Sequence, residues 1–549
     1  MKHLLSNLFL IITLVFMNAC YYTESADLLI HNAKVYTVDA NFTIAEAMAI
    51  KNGRIIDLGP NNELKNRYNA KKEIDAKNRP IYPGFIDAHC HFLWYGNSFF
   101  QVDLTGTASW EEVLERTLTF SKNNDDQWII GNGWDQNNWD TKEFPTKQKL
   151  DSLFPNRAVF LKRIDQHAAI ANQKALDLAK VNENSSVEGG IFEKMENKLT
   201  GLLIDNAITE VTKIIPSMSS KRMEEALLKA EKMCFAKGLT TVDDAMLENE
   251  MVNTIDSLQR SGKLQMKIYG MLIPDEKNKN QFLETGPYLT PKLSIRSFKY
   301  FADGALGSRG AKLIDPYHDD LNNNGLLLTD SNYLLEEAKI LYEKGFQMNT
   351  HCIGDAANRL LLNIYASVLQ STNDKRWRIE HAQVVHPDDF SKFQQYTIIP
   401  SVQPTHAISD MDWVKDRLGE TRVKTAYAYK ELMNQNKILP LGTDFPIEDI
   451  DPLKTFYAVT IRKNYEDINP VGFQEENGIS RIDALKGMTI WPAIANFEDT
   501  EKGSLEKGKS ADFIILNQDI LEINATEILK TKVEETYVDG VLVYKRAVN

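Results

Sequence analysis

Short apolar runs recur along the chain and alternate with amphipathic stretches, a pattern that predicts strands separated by helices. Residues 220–238 and 331–345 place apolar side chains at helical spacing, whereas the apolar runs are continuous and bounded by turn residues. Strand–helix alternation is typical of parallel βα units, and eight such units close a barrel. The eight predicted strands lie near residues 81–89, 237–244, 266–272, 296–302, 346–351, 377–381, 397–403 and 438–443. We therefore predict an α/β fold with a TIM-type (β/α)8 barrel over residues 81–499.

The first two predicted barrel strands are separated by far more chain than one crossover helix needs. Residues about 95–210 are therefore predicted to form an inserted lid subdomain. An insertion after the first strand leaves the barrel at its C-terminal face, where barrel enzymes hold their active sites. Trp134 and Trp139 of this insertion either line the substrate pocket or pack in a core.

Both chain ends carry β-type alternation with hairpin signals. Residues 27–80 contain an Asn-Gly turn ending at Gly53, and residues 500–549 contain an Asp-Gly turn ending at Gly540. Neither part is long enough to build a good core alone. We predict that the two parts form one small composite β-sandwich domain beside the barrel.

The N-terminus has the pattern of an export signal. Lys2 precedes an apolar run at residues 8–17, which is too short for a transmembrane helix of about twenty residues. Cys20 directly follows Ala19, which resembles a bacterial lipoprotein signal, although a methionine replaces the usual leucine three residues earlier. We expect residues 1–20 to include a signal peptide, the mature protein to start at Cys20, and a lipid anchor to hold it at a cell-envelope membrane. A plain secretory signal is the alternative.

The composition is that of an ordinary globular protein, with 43% hydrophobic and 25% charged residues. The formal net charge of −13 argues against a nucleic-acid partner, which would require a basic surface. It does not indicate a particular substrate.

Potential metal ligands follow the predicted strands. His89 and His91 end the first strand, and residues two apart on a strand project from the same face. Two imidazoles on one face suit a divalent metal such as zinc. Later predicted strands end in the same manner at Lys299, His351, His381, His406 and Asp444.

The phrases DGALGSRGA, HCIGDAAN, RIEHAQ, SVQPTHA and LGTDFPIED resemble the amidohydrolase superfamily of metal-dependent hydrolases, in particular its amidohydrolase 3 branch. The resemblance runs from about Asp27 to the C-terminus. It implies that His89 and His91 bind the more buried metal ion, and that His351 and His381 bind a second one.

The resemblance also assigns roles to a lysine and an aspartate. It implies that Lys299 is carbamylated by CO2 and bridges two ions; the alternative is an unmodified lysine that pairs with Asp303. It implies that Asp444 contacts the metal, acts as general base toward the attacking water and then protonates the leaving amine. Histidine and oxygen ligands suit zinc but also manganese, iron or cobalt, so we expect one or two divalent ions, zinc first among them.

Four further residues are candidate substrate contacts. His167 lies on the insertion, Asp303 and Arg309 follow the fourth strand, and His406 follows the seventh. For each of them a simple loop hydrogen bond is the alternative interpretation.

The expected activity is hydrolysis of a non-peptide C–N bond in a small-molecule amide, such as an N-acyl, N-formyl or cyclic amide. Two alternatives remain open: a deaminase of the same superfamily with one metal ion, and a lipid-anchored binding protein without catalysis. Members of the family often dimerise, so a homodimer is a further option.

Overall fold

The computed structural model describes residues 23–123, 126–216, 218–465 and 472–547. The predicted signal peptide and Cys20 lie outside these residues. No helix in the described part of the chain is both long enough and apolar enough to span a membrane.

A parallel barrel sheet forms the centre of the molecule and confirms the predicted fold class. Its strands follow one another around the barrel in chain order, each parallel to the next. In the described residues these strands are Phe85–Cys90, Leu239–Leu247, Lys267–Leu272, Leu293–Phe301, Gln347–Cys352, Arg378–His381 and Ile399–Ser401. A two-residue strand, Tyr288–Leu289, pairs antiparallel with the fourth of them.

The eighth barrel segment closes the sheet without forming an extended strand. Leu441 makes a single parallel bridge to Val402. On the other side, the Ala88 amide donates to the Leu441 carbonyl at 3.2 Å, and the Asp444 amide donates to the His89 carbonyl at 2.8 Å. The segment predicted as a strand at 438–443 is thus a closing segment, because Pro440 has no amide hydrogen with which to continue a ladder.

Helices surround the barrel where the periodicity predicted them. The predicted stretch at 220–238 contains a helix over Ser220–Ala236, and the Ser219 side chain accepts a hydrogen bond from its first turn. The helix Ser331–Lys344 ends at Gly345, whose φ of 75° suits glycine. The helices of the barrel region are Phe92–Ser98, Ser220–Ala236, Asn249–Arg260, Glu276–Thr285, Ser331–Lys344, Asp355–Leu369, Phe390–Gln395, His406–Ser409, Val414–Arg422, Tyr429–Asn436, Pro452–Ile461, Arg481–Gly487 and Ile490–Ala495, with short 3-10 turns at Pro387–Asp389, Val423–Thr425 and Glu475–Asn477.

Strands from both chain ends form two small sheets beside the barrel. The four-stranded sheet contains, in spatial order, Arg54–Gly59, Ala47–Lys51, Glu24–His31 and Tyr68–Asp75. The six-stranded sheet contains Val541–Lys545, Val533–Val538, Phe513–Leu516, Pro80–Pro83, Lys34–Tyr36 and Ile44–Ala45. Short helices at Asn61–Arg67 and Ala525–Ile528 accompany these sheets.

One boundary differs from the sequence prediction. Residues 81–83 fall within the predicted first barrel strand, but the strand Pro80–Pro83 pairs with Lys34–Tyr36 and with Phe513–Leu516 in the small domain. Gly84 then separates this strand from the barrel strand Phe85–Cys90, and a Cβ at Gly84 would meet the Thr240 side chain at 2.2 Å. A single apolar run therefore contains one strand of the small domain, Pro80–Pro83, and one strand of the barrel, Phe85–Cys90.

The insertion after the first barrel strand has a six-stranded sheet of its own. In spatial order its strands are Gly190–Met195, Lys198–Asp205, Ala168–Ala171, Ala158–Arg163, Trp128–Trp134 and Val102–Asp103. Helices at Trp110–Ser121, Gln148–Leu153, Gln173–Ala179 and Asn206–Thr212 cover it, with a 3-10 turn at Gln136–Asn138. Trp134 and Trp139 are buried between sheet and helices, where their indole N–H groups donate to the carbonyls of Leu161 and Thr107. They form a core and do not line a pocket.

Candidate metal centre

Four histidines from three barrel strands or their ends converge at the C-terminal mouth of the barrel. His89 lies on the first strand and His91 directly follows it, while His351 and His381 lie near the ends of the fifth and sixth strands. The ring centres of His89 and His381 are 5.0 Å apart, and those of His351 and His381 are 4.6 Å apart. Because the strands are parallel, ligands that are far apart in sequence meet at one edge.

Asp444 lies among these rings. One carboxylate oxygen, Oδ1, is 3.2 Å from His91 Nε2 and 3.8 Å from His89 Nε2. The other oxygen, Oδ2, is 3.4 Å from His406 Nε2. His89, His91 and Asp444 could hold one metal ion, and His381, His406 and Asp444 could hold another.

The protonation states of the buried histidines suit metal binding. Burial lowers the pKa of His89, and it lowers the pKa of His351 and His381 well below the usual range. Each of these imidazoles is therefore neutral at pH 7 and keeps a nitrogen lone pair for a metal. Residues of this type in this arrangement fit a divalent metal of the zinc kind.

Asp444 remains ionised despite its burial. Burial alone would raise its pKa, but the adjacent imidazoles of His406, His91 and His89 hold the pKa of this carboxyl well below its usual range. Its Oδ1 is buried and accepts no hydrogen bond from any residue that the structure describes. A buried anionic oxygen without such a donor fits a cation as its partner.

Lys299 reaches the same cluster from the fourth strand. Its Nζ lies 3.1 Å from His89 Nε2 and 4.9 Å from the centre of the Phe301 ring. The lysine is buried, and burial lowers the pKa of its amine. Asp303, the alternative partner in the sequence prediction, binds backbone amides and not this amine.

Glu380 is a site residue that sequence reasoning missed. Its Oε2 lies 2.6 Å from His89 Nδ1, so His89 presents only Nε2 toward the cluster. A carboxylate that fixes the second nitrogen of a histidine is a common feature of metal sites. The signal in the sequence was strand alternation, because Arg378 and Glu380 share a face and both are buried charges.

The four predicted substrate contacts divide into two groups. His406 lies beside Asp444, and His167 reaches from the insertion to within 5.5 Å of the His351 ring, measured between ring centres. Asp303 is fully buried and accepts hydrogen bonds from the Ile353, Gly354 and Lys312 amides. These hydrogen bonds hold the loops that follow the fourth and fifth strands. Arg309 binds Asp319 through two nitrogens at 3.2 and 2.9 Å and does not join the cluster.

Hydrogen bonding sets the orientation of His167. Its Nδ1 lies 2.7 Å from Asp205 Oδ1 on the neighbouring strand of the insertion. Although burial alone would lower it, this carboxylate raises the pKa of His167. The insertion thus contributes an oriented imidazole to the mouth of the barrel.

Comparison with known proteins agrees with this site. The amidohydrolase family model matches residues 72–544. The chain is 32% identical to the putative amidohydrolase YtcJ of Bacillus subtilis, over 94% of this chain and 99% of that protein. It is 26% identical to the N-substituted formamide deformylase of Arthrobacter pascens, over 95% of this chain and 99% of that protein. The crystal structure of an uncharacterized metal-dependent hydrolase from Pyrococcus horikoshii is 28% identical, with a TM-score of 0.74, and the match covers 91% of this chain and 99% of that chain.

A barrel with histidines, a lysine and an aspartate at its C-terminal mouth defines a metal-dependent hydrolase. The chain belongs to the amidohydrolase family, and it is a hydrolase that acts on carbon–nitrogen bonds other than peptide bonds.

Proposed function

We propose that this protein hydrolyses an amide-type C–N bond of a small molecule, with Asp444 as general base and then general acid. The observation that carries the proposal is the position of the Asp444 carboxylate, 3.2 Å from His91 Nε2 and 3.4 Å from His406 Nε2. The carboxylate is buried and ionised, and the His91 and His406 rings flank its two oxygens.

The chain offers ligands for one or two divalent ions. His89 and His91 would hold one ion together with Asp444. His381 would hold a second ion with His406 and Asp444, and the family resemblance adds His351 to this set. Zinc suits these ligands best. A bound divalent metal lowers the pKa of water toward about 7 and polarises a carbonyl group.

Lys299 is the candidate bridge between the two ions. Its amine lies beside His89 Nε2 and has no ion pair among the described residues, so an unmodified ammonium would face the metal ligands without compensation. Loss of a proton from the ammonium, followed by addition of the amine nitrogen to CO2 with loss of a second proton, would replace this positive charge by a carbamate. We propose the carbamate for the two-ion form of the enzyme.

Asp444 moves one proton in each half of the reaction. It accepts a proton from the attacking water at a carboxylate oxygen while the water oxygen forms a bond to the carbonyl carbon. It then donates that proton to the departing nitrogen as the C–N bond breaks. General catalysis of this type contributes about 10²–10⁴-fold to a rate.

The substrate class is proposed from chemistry and from one relative. An N-acyl, N-formyl or cyclic amide would place its carbonyl at the metal ligands and its nitrogen within reach of Asp444. The similarity to a protein named N-substituted formamide deformylase supports N-formyl compounds as the first group to test. A deaminase would release ammonia, and a binding protein would release nothing.

The test is the Asp444→Asn variant in metal-loaded, full-length protein. We expect it to keep the metal content of the wild type by elemental analysis and to lose turnover of N-formyl amines about 10²–10⁴-fold. Two ions per chain in the wild type would support the carbamate bridge, and one would favour an unmodified Lys299. The exposed Asp412→Asn variant controls for the charge change. Equal turnover of the Asp444 variant and the wild type would refute the role of Asp444.

We also propose that a lipid on Cys20 anchors the protein at a cell-envelope membrane. The support is the sequence alone, because this residue lies outside the described part of the chain. We expect Cys20→Ala to move the protein from the membrane to the soluble fraction, as measured by fractionation and immunoblotting. Cys234→Ala, which removes a buried cysteine of the barrel region, should leave it in the membrane fraction. A soluble wild-type protein would contradict the anchor.

A further inference from the structure

Lys162 carries a positive charge at the place where the insertion meets the mouth of the barrel. It lies on the strand Ala158–Arg163, and Ala158 and Phe160, which share its face of the strand, are buried apolar residues. The Lys162 ammonium is 5.9 Å from the centre of the Trp94 ring. Trp94 stacks on the His91 imidazole at 4.2 Å with an angle of 10° between the rings. Lys162 is therefore separated from a metal ligand by a single aromatic ring.

This ammonium has no partner of opposite charge among the described residues. The neighbouring Arg163, by contrast, binds Asp135, Asp165 and Gln136. Burial lowers the pKa of Lys162 to about 8, and no nearby carboxylate counteracts this effect. A partly buried ammonium without such a partner can pair with an anionic group of a ligand.

Packing on Trp94 does not account for the charge. A cation–π contact is effective within about 6 Å of the ring centre, and Lys162 stands at the end of that range. The side chain is only partly buried, so the ammonium remains open to a ligand. An uncharged side chain of the same length would pack on Trp94 without the desolvation cost.

We propose that Lys162 is a specificity-determining residue that binds a carboxylate group of the substrate, so that the preferred substrates are N-formyl or N-acyl compounds carrying an acid. This inference rests on the proposed hydrolase function. One ammonium balances one negative charge, which favours a carboxylate over a phosphate dianion. The stacked Trp94 would lie beside the apolar part of such a substrate, between the acid and the scissile amide.

The test compares two ligands that differ only in the acid: N-formylphenylalanine and N-formyl-2-phenylethylamine. Calorimetry on full-length, metal-loaded Asp444→Asn protein measures both dissociation constants without turnover. We expect the acid to bind about ten- to a hundredfold more tightly, and Lys162→Met to remove this preference, as for the loss of a charged hydrogen bond. Lys174→Met, which removes an exposed lysine from the same insertion, should keep the preference.

Turnover measurements separate this inference from the proposed function. With Asp444 intact, the ratio of kcat/KM for the acid to that for the neutral amide should fall by the same factor in Lys162→Met. Acid-selective binding in a protein that hydrolyses neither amide would support Lys162 and overturn the hydrolase proposal. Hydrolysis without preference for the acid, or failure of the acid to bind, would overturn the role of Lys162.

Discussion

Glu380 decides which nitrogen of His89 is available to a metal. Its carboxylate lies 2.6 Å from His89 Nδ1, while Arg378 Nη1 is 3.8 Å from its other oxygen and 3.0 Å from Asp243 Oδ2. Burial alone would raise the pKa of Glu380, but His89 and Arg378 lower it, so the carboxylate is ionised. The metal centre therefore depends on a buried charge network inside the barrel.

Replacement of Glu380 by glutamine should weaken metal binding. The variant keeps the size of the side chain but loses the charge that orients His89 and raises its basicity, so we expect a 10- to 100-fold loss of affinity. Competition with a chromogenic chelator measures the affinity of each variant for the metal ion. Glu337→Gln is the matched control, because Glu337 is also buried and hydrogen-bonded but contacts Lys279 and Tyr300. Equal affinities in the two variants would show that Glu380 does not position the ligand.

The residues of the site differ in how far the sequence could predict them. Strand alternation placed His89 and His91 on one face, but their assignment as ligands also needed the later strand ends and the family resemblance. Glu380 could not be assigned, because its partner is 291 positions away and only barrel closure brings strands one and six within contact. Arg309 was predicted as a substrate contact, yet its side chain is engaged by Asp319, an acid of the same loop that the motif did not single out.

At the scale of elements, the closing segment after the seventh strand positions the catalytic candidate. Gly442 lies against the first strand so closely that an added Cβ would meet the His89 amide nitrogen at 2.6 Å and the His89 Cβ at 2.9 Å. Two residues later, Asp444 donates its amide to the His89 carbonyl and enters the cluster. The apolar runs predicted the barrel strands. They could not show that the eighth one, which contains Pro440, closes the sheet through a single bridge and not as an extended strand.

Gly442→Ala should therefore disturb both the barrel and the metal centre. The methyl group has to push the closing segment away from His89, since the atoms it meets are backbone and Cβ atoms that cannot move independently. Overpacking of this kind costs about 1–3 kcal/mol. Denaturant unfolding and elemental analysis of one preparation would measure the two losses. In the control Gly59→Ala, the new methyl meets only the Leu64 side-chain tip, at 3.2 Å. Wild-type stability with full metal content would contradict the argument.

At the scale of the whole molecule, a buried ion network joins the small domain to the start of the third barrel strand. Lys267 Nζ lies 2.7 Å from Asp512 and 2.7 Å from Asp539, both in the C-terminal part of the small domain. Burial alone would lower the pKa of Lys267, but the two carboxylates raise it. The network lies at the opposite end of the barrel strands from the metal centre.

Lys267→Met should destabilise the fold. Removal of the cation leaves the buried Asp512 carboxylate without compensation, and breaking a buried pair costs about 3–5 kcal/mol of unfolding free energy. Denaturant unfolding, with kcat/KM per folded molecule as a second readout, would show a large loss of stability and an unchanged specificity constant. Lys71→Met, which breaks an exposed pair with Asp27, should have a much smaller effect. Similar losses of unfolding free energy in Lys267→Met and Lys71→Met would contradict a stabilising role of the buried network.

The small domain also fixes an order of events during synthesis. Its first strands, beginning at Glu24, leave the ribosome early, but the core that covers Leu28 and Ile30 includes Phe513 and Tyr537. Until Phe513 and Tyr537 have been made, this apolar face is only partly covered, and the strand Pro80–Pro83 lacks one of its two neighbours. A nascent chain released too soon would expose these surfaces. We therefore expect a chain that ends before Phe513 to associate more readily than one that includes Tyr537.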